Sequence, residues 1–238
     1  MNKFILTLFL SVLISTVYAA AKTIPAKPDA TVPHFDSREA IAGYALEAML
    51  NRDGKALLHT FAPETVKQGI KIFGSRKTLE AACQTYMNMV PEYHLSRMRK
   101  NKPAIIASLA KDRDLVQING KWYSTHNFNA ISLYYTISNV ADAIIARDPD
   151  ALWVWLDEET RTRLTADARG DLQLRNAKII KLCKELLTDS GVKLVQADKR
   201  AYINSLIHKL LRGVNGKRIL NDSNGKFLIS LVPFISTK

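Results

Sequence analysis

The sequence predicts an α+β, helix-rich fold made of two tandem diverged repeats, each with amphipathic helices followed by a short antiparallel hairpin. Three observations predict it. First, residues 45–65 recur without gaps at 140–160, keeping Ala48/Ala143, Arg52/Arg147, Asp53/Asp148, Ala56/Ala151, Leu57/Leu152, Glu64/Glu159 and Thr65/Thr160. Second, Ala42, Ala45, Leu46, Met49 and Leu50 fall at i, i+3, i+4, i+7 and i+8, and Ile137, Val140, Ala141, Ile144 and Ile145 repeat that spacing, so each run has one apolar helical stripe. Third, turn residues separate β-prone runs late in each half, at Asn119-Gly120 and at 221–225. The expected organisation is a signal peptide over 1–19, an extended linker over 20–36, repeat 1 over 37–128 and repeat 2 over 129–238.

The elements follow in order. Lys3, the apolar run 4–14 and the small residues around Val17-Tyr18-Ala19 form a secretory signal peptide. That run is shorter than the roughly 20 residues needed to cross a bilayer, and no later segment is longer, so the mature chain is expected to be soluble and exported, periplasmic or secreted. No cysteine stands at the cleavage position, which disfavours a lipid anchor. Pro25, Pro28 and Pro33 make 20–36 an extended tether. Asp36 and Glu39 are then spaced as a capping box for the first helix. In each copy the shared Arg-Asp places an aspartate, Asp53 or Asp148, to cap the next short helix, and Pro149 suits the first helical position. A duplicated acid site at the two aspartates is the alternative, and capping is preferred.

Pro63-Glu64 starts another helix. Leu79, Ala82, Cys83, Tyr86, Met87 and Val90 line one helical face that Pro91 ends. The basic cluster Arg97, Arg99, Lys100 and Lys102 follows, and Asn119-Gly120 joins strands at 115–118 and 121–125. The second copy adds a helix through Ile179, Cys183, Leu186 and Leu187, a strand over 192–196, and a helix carrying Ile203, Leu206, Ile207, Leu210 and Leu211. It closes on a hairpin, 218–220 with 227–232, and Pro233 marks an edge or a strand end.

The run 134–148, followed by Leu156, Asp157, Thr160, Arg163 and Leu164, resembles a family of bacterial envelope proteins known only as a domain of unknown function. Such domains close on a Gly-x-Trp strand, to which Gly120-Lys121-Trp122 is similar; Gly225-Lys226-Phe227 departs from it at the aromatic. A helical start followed by a small sheet is more distantly similar to the SnoaL-like superfamily. The resemblance covers about half of the mature chain and implies an envelope location; it carries over no catalytic residue.

Composition bounds the chemistry. With 47% hydrophobic and 24% charged residues the 238-residue chain is globular, and its formal charge of +12 implies attraction to polyanions that salt screens. Solubility alone would also account for that charge. The four cations at Arg97, Arg99, Lys100 and Lys102 are the densest candidate anion site; a solvated helix end, where cations are favoured, is the plainer reading. Nucleic acid is disfavoured, because only Tyr93 is interleaved with these cations.

Cys83 and Cys183, one per copy, suit either a disulfide, which export permits, or two buried thiols; the disulfide is the expectation. The five histidines, His34, His59, His94, His126 and His208, lack metal-ligand spacing, and no nucleophile elbow or phosphate loop occurs. Neither a cofactor nor a metal is expected. Asp157, Glu158 and Glu159 resemble paired catalytic carboxylates but suit a helix start. Trp153 and Trp155, at i and i+2, face apart, so at least one is expected in the core or under the other copy. The function expected is a non-enzymatic binding protein of the envelope, taking an anionic polymer, lipid headgroups or a protein partner. The alternatives are a small SnoaL-like hydrolase or isomerase with a buried Asp or His, and a structural part of an envelope assembly.

Overall fold

The computed structural model describes residues 33–212, 220–223, 225–232 and 235. The expected signal peptide, the expected linker up to residue 32, Arg218 and Pro233 lie outside the described residues. The chain is helix-rich, with short antiparallel hairpins, and divides into two units between Ala130 and Ile131.

In the first unit, Ser37 is extended and its Oγ accepts the Ala40 N–H at 3.0 Å, which starts α1 (Arg38–Leu50). The cap is therefore one residue beyond the expected Asp36, whose carboxylate instead meets His34 at 3.0 Å. The end of the expected linker is also not free. Phe35 is buried against Tyr44, with ring centroids 5.0 Å apart, and its carbonyl accepts the Trp122 N–H at 2.9 Å. Together with Ile41 and Leu115 it forms a small core of its own.

Arg52 turns the chain with φ 55°, and Asp53 caps α2 (Gly54–Leu58) by accepting the Ala56 N–H at 2.8 Å. Glycine is required at the next position: a Cβ on Gly54 would stand 2.3 Å from the backbone nitrogen of Gln84, so α2 can lie directly on the backbone of α4 (Arg76–Met89). Gln84 completes the junction, accepting the Gly54 N–H and donating to the Arg52 carbonyl. Between these elements, α3 (Pro63–Phe73) starts on its proline and stops at Gly74 with φ 81°.

The basic stretch that the sequence leaves undivided is two helices, α5 (Glu92–Lys100) and α6 (Lys102–Leu109). Their apolar residues Leu95, Met98, Ile105, Ile106 and Leu109 pack on Leu46, Leu50 and Val90. Burial of several aliphatic side chains, at about 1.5–3 kcal/mol each, makes this the driving contact of the region. β1 (Leu115–Ile118) and β2 (Lys121–Ser124) pair with Ile118 opposite Lys121, and Asn119 and Gly120 take φ 51° and 78°. This is the two-residue turn that Asn-Gly predicts. Ser124 ties the hairpin back to the start of α3, donating to the Thr60 carbonyl at 2.7 Å and accepting the Ala62 N–H at 2.8 Å.

In the second unit, α7 (Asn129–Ala146) buries Ile131, Ile137, Val140, Ala141 and Ile144. Arg147 turns the chain with φ 55°, and Asp148 caps α8 (Pro149–Trp153), accepting N–H groups of Asp150 and Ala151. Asp157 caps α9 (Glu158–Asp167), and Asp171 caps α10 (Leu172–Leu186), which buries Ile179, Leu182, Cys183 and Leu186.

The strand expected over 192–196 is a helix, α11 (Asp189–Ala197). Thr188 caps it, and Gly191 seats against Leu187 and Tyr202; these local bonds override the β preference of Val192 and Val195. Next, α12 (Lys199–Arg212) buries Tyr202, Ile203, Leu206, Ile207 and Leu210. β3 (Leu220–Ser223) and β4 (Lys226–Ile229) close the unit with Ser223 opposite Lys226. The turn is therefore shorter than the expected 221–225, because 221–223 are strand. Ile229 donates to the Trp155 carbonyl at 2.7 Å and accepts the Asp157 N–H at 3.0 Å.

Candidate functional sites

The four expected cations lie at the α5–α6 junction, but they are not equivalent. Arg97, Arg99 and Lys100 occupy the last turn of α5, where carbonyls without helical partners favour positive charge. Arg99 reaches Glu92 at 2.6 Å and the Leu50 carbonyl at 3.4 Å, and Lys102 reaches Glu47 of α1 at 2.6 Å. Glu92 is shared with Arg52 at 3.2 Å, and the hydrogen bonds from Arg99 and then Arg52 hold its carboxyl below the ordinary glutamate value. These bonds tie α5 and α6 to α1. The exposed Arg97 and Lys100 complete the corner, where five cations (Arg52, Arg97, Arg99, Lys100, Lys102) meet two carboxylates (Glu47, Glu92).

Lys102 also lines a groove of about 490 Å³ with Glu39, Pro103, Ile106, Ala107, Ala110 and Lys111. Its volume is within the range of small-ligand sites. Its carboxylate, Glu39, is exposed, as is Lys111. The groove thus has an apolar lining with charges but without a buried carboxylate or imidazole.

The acidic run at 157–159 is structural. Asp157, 7% exposed, accepts the Thr160 N–H at 2.9 Å, while Glu158 and Glu159 are exposed and Glu159 pairs with Arg163. Asp53 and Asp148 act as caps, as described above. Neither tryptophan is in the core: both are half-buried. Arg175 lies over the Trp153 ring at 4.3 Å with Arg161 at 5.8 Å, and Lys226 lies over Trp155 at 5.5 Å. Cationic cover lets each indole stay at the surface.

The expected Cys83–Cys183 disulfide is not formed. Each cysteine is a free thiol buried in its own unit, in the cores around α4 and α10. Burial, with a smaller contribution from Glu80, pushes the Cys83 thiol up to about 12, and burial pushes Cys183 up to about 11. Neither is a thiolate at neutral pH, so neither is a poised nucleophile.

A constellation that the sequence reading missed lies between the end of α6 and the segment leaving β2. His126 Nε2 is 2.9 Å from Asp112 Oδ2, and Nδ1 is 2.8 Å from Asp114 Oδ2. The backbone holds the same loop: Thr125 donates both its N–H and its hydroxyl to the Asp114 carbonyl, and Arg38 donates to the carbonyls of Ala110, Asp112 and Leu115. Burial raises the Asp112 carboxyl, but hydrogen bonds from His126 and from the backbone of Asp114 and Arg113 outweigh it and leave it below the ordinary value. The three side chains offer atoms within 4.8 Å of one another. Only the Nε2–Asp112 contact is a hydrogen bond, while Nδ1 and Asp114 lie at ion-pair distance. The available signal was Asp-x-Asp beside a hairpin whose exit carries a histidine; a search for histidine spacing alone passes over it.

No family model, curated protein or solved structure matches this chain.

Proposed function

We propose that this is an exported protein of the bacterial envelope that binds an anionic envelope component, an acidic polymer or lipid headgroups, without catalysing a reaction. The observation that carries the reading is the charge surplus at the α5–α6 corner, where Arg97 and Lys100 are exposed beside an internally paired group. The paired cations hold the corner in shape and the exposed ones supply the field. The chain-wide charge of +12 draws polyanions from a distance, and the corner would give that attraction a place. Apolar runs too short to span a bilayer, and the absence of any membrane-spanning helix among the described residues, are compatible with attachment at a surface.

The same reading includes an origin as two diverged copies. What supports it is a set of backbone bonds that recur in both units, those within residues 48–57 at a spacing of 95. The Asp53 N–H donates to Ala48 and the Asp148 N–H to Ala143; Leu57 donates to Asp53 and Leu152 to Asp148. Phe61 bridges to Ser124 in parallel, and Leu156 does the same with Ile229. The repeated Arg-Asp is then a record of a shared turn, not of shared chemistry.

A protein partner is the second reading, favoured by the exposed aliphatic side chains Val154, Leu172 and Leu174 of the second unit. The test is the double variant Arg97→Gln/Lys100→Gln on a column of anionic polymer. The expected result is earlier elution than the unaltered protein at the same salt, by more than an Arg163→Gln/Lys178→Gln control of equal charge. Equal elution of the two double variants would remove the corner from the account.

A further inference from the structure

We propose that His126 and Asp114 are the protein ligands of a divalent first-row metal ion, with Asp112 as the carboxylate that orients the imidazole. All three residues belong to the first unit, on the turn between α6 and β1 and on the segment that leaves β2.

The backbone sets their positions. Leu115 pairs with Ser124 at the open end of the hairpin, which brings residue 126 back beside 112–114. Arg38 of α1 donates to the carbonyls of Ala110, Asp112 and Leu115, Thr125 donates its N–H and its hydroxyl to the Asp114 carbonyl, and the His126 N–H donates to Ser124 Oγ at 3.3 Å. Donors held this way lose little freedom when an ion arrives, which is the condition for a site on a loop to bind.

The two carboxylates have different tasks. Asp112 is the inner one, its side chain 15% exposed against 23% for His126 and 37% for Asp114. Its Oδ1 accepts the Asp114 N–H at 3.0 Å, and its Oδ2 is hydrogen-bonded to His126 Nε2 at 2.9 Å. A carboxylate only accepts, so Nε2 carries the hydrogen, and in the neutral ring Nδ1 is then the lone pair. A carboxylate behind an imidazole is the usual device that fixes the tautomer and orientation of a metal-binding histidine.

The lone pair has a second donor beside it. Nδ1 is 2.8 Å from Asp114 Oδ2, a distance that suits a hydrogen bond, yet the pair is not aligned as one. A shared proton must lie close to the line between its two heavy atoms. A metal ion instead sits at the apex of a triangle: with bonds of about 2.0–2.1 Å at about 90°, its nitrogen and oxygen ligands stand roughly 2.9 Å apart. The observed separation matches that bite, and Asp114, the most exposed of the three, leaves room for water to complete the coordination. One imidazole nitrogen and one carboxylate oxygen suit zinc, nickel or copper(II); magnesium and calcium prefer oxygen alone.

The test is NMR of the whole chain at neutral pH, titrated with zinc and, separately, with magnesium. The expected result is a saturable zinc-induced shift of the His126 Nδ1 resonance while Nε2 keeps its hydrogen, with no response to magnesium at the same concentration. His126→Gln and Asp114→Asn should each weaken this binding by tenfold or more, and Asp112→Asn by about 10–100-fold, the usual cost of losing the partner behind a ligand histidine. His34, 3.0 Å from the single carboxylate of Asp36, is the control, and His34→Gln should leave the affinity unchanged. If His126→Gln does not fold, Asp114→Asn, at the more exposed position, decides. Zinc shifts centred away from His126, an affinity that Asp114→Asn leaves intact, or an equal response to magnesium overturns the proposal.

Discussion

Gly54 shows how much of this fold rests on single atoms. A methyl group there would meet the backbone of Cys83 and Gln84 at 2.3–2.6 Å, and backbone cannot rotate aside. Gly54→Ala is expected to cost about 1–3 kcal/mol or more, the range for overpacking, read as a lowered denaturation midpoint with an unchanged slope. Asp112 makes a pH-dependent contribution with a definite sign. Its folded-state carboxyl is depressed, so the stability it adds is present above the unfolded aspartate pKa and is lost as pH falls through the folded one. Asp112→Asn should therefore be less stable than the unaltered protein at neutral pH and equal to it in strong acid, as measured by urea titration at each pH. The cysteines carry the opposite lesson. Their even number and the expected export allow a disulfide, but both thiols are buried and raised to about 12 and 11, so a thiol reagent at pH 8 should label them only after denaturant is added.

Caps were the most legible elements. The sequence marks Asp53 and Asp148 as caps and Asp157 as a helix start, and each accepts a first-turn N–H, because capping needs only one short polar side chain at one local position. Asp53→Ala and Asp148→Ala should each cost about 0.5–2 kcal/mol in thermal or chemical melting. Two elements were not legible. The helix over 189–197 reads as a strand by its valines, whereas the structure caps it at Thr188, whose side chain accepts the Gly191 N–H. The division of the basic stretch into α5 and α6 depends on Leu95, Ile105 and Ile106 reaching Leu46 and Leu50 of α1. Periodicity in so short a run does not reveal that. The candidate site divides in the same way. The α5–α6 cations were visible as a run of charges, whereas the Asp112–His126–Asp114 cluster forms only when the hairpin brings residue 126 back beside 112 and 114.

At the scale of the whole molecule, charge is the property that reaches furthest. Each local contact uses some of it: Arg99 and Lys102 are paired with Glu92 and Glu47, and Arg175 covers Trp153. The surplus of +12 remains after the carboxylates are counted, and it acts over a screening length of about 8–10 Å in ordinary salt. The envelope-binding reading stands or falls with that surplus. The most direct measurement is sedimentation with vesicles of an anionic phospholipid, and with zwitterionic vesicles as the control, across a salt series. The account predicts retention on the anionic vesicles at low salt that falls steeply as salt rises, with little retention on the neutral ones; equal retention on both, unchanged by salt, would contradict it.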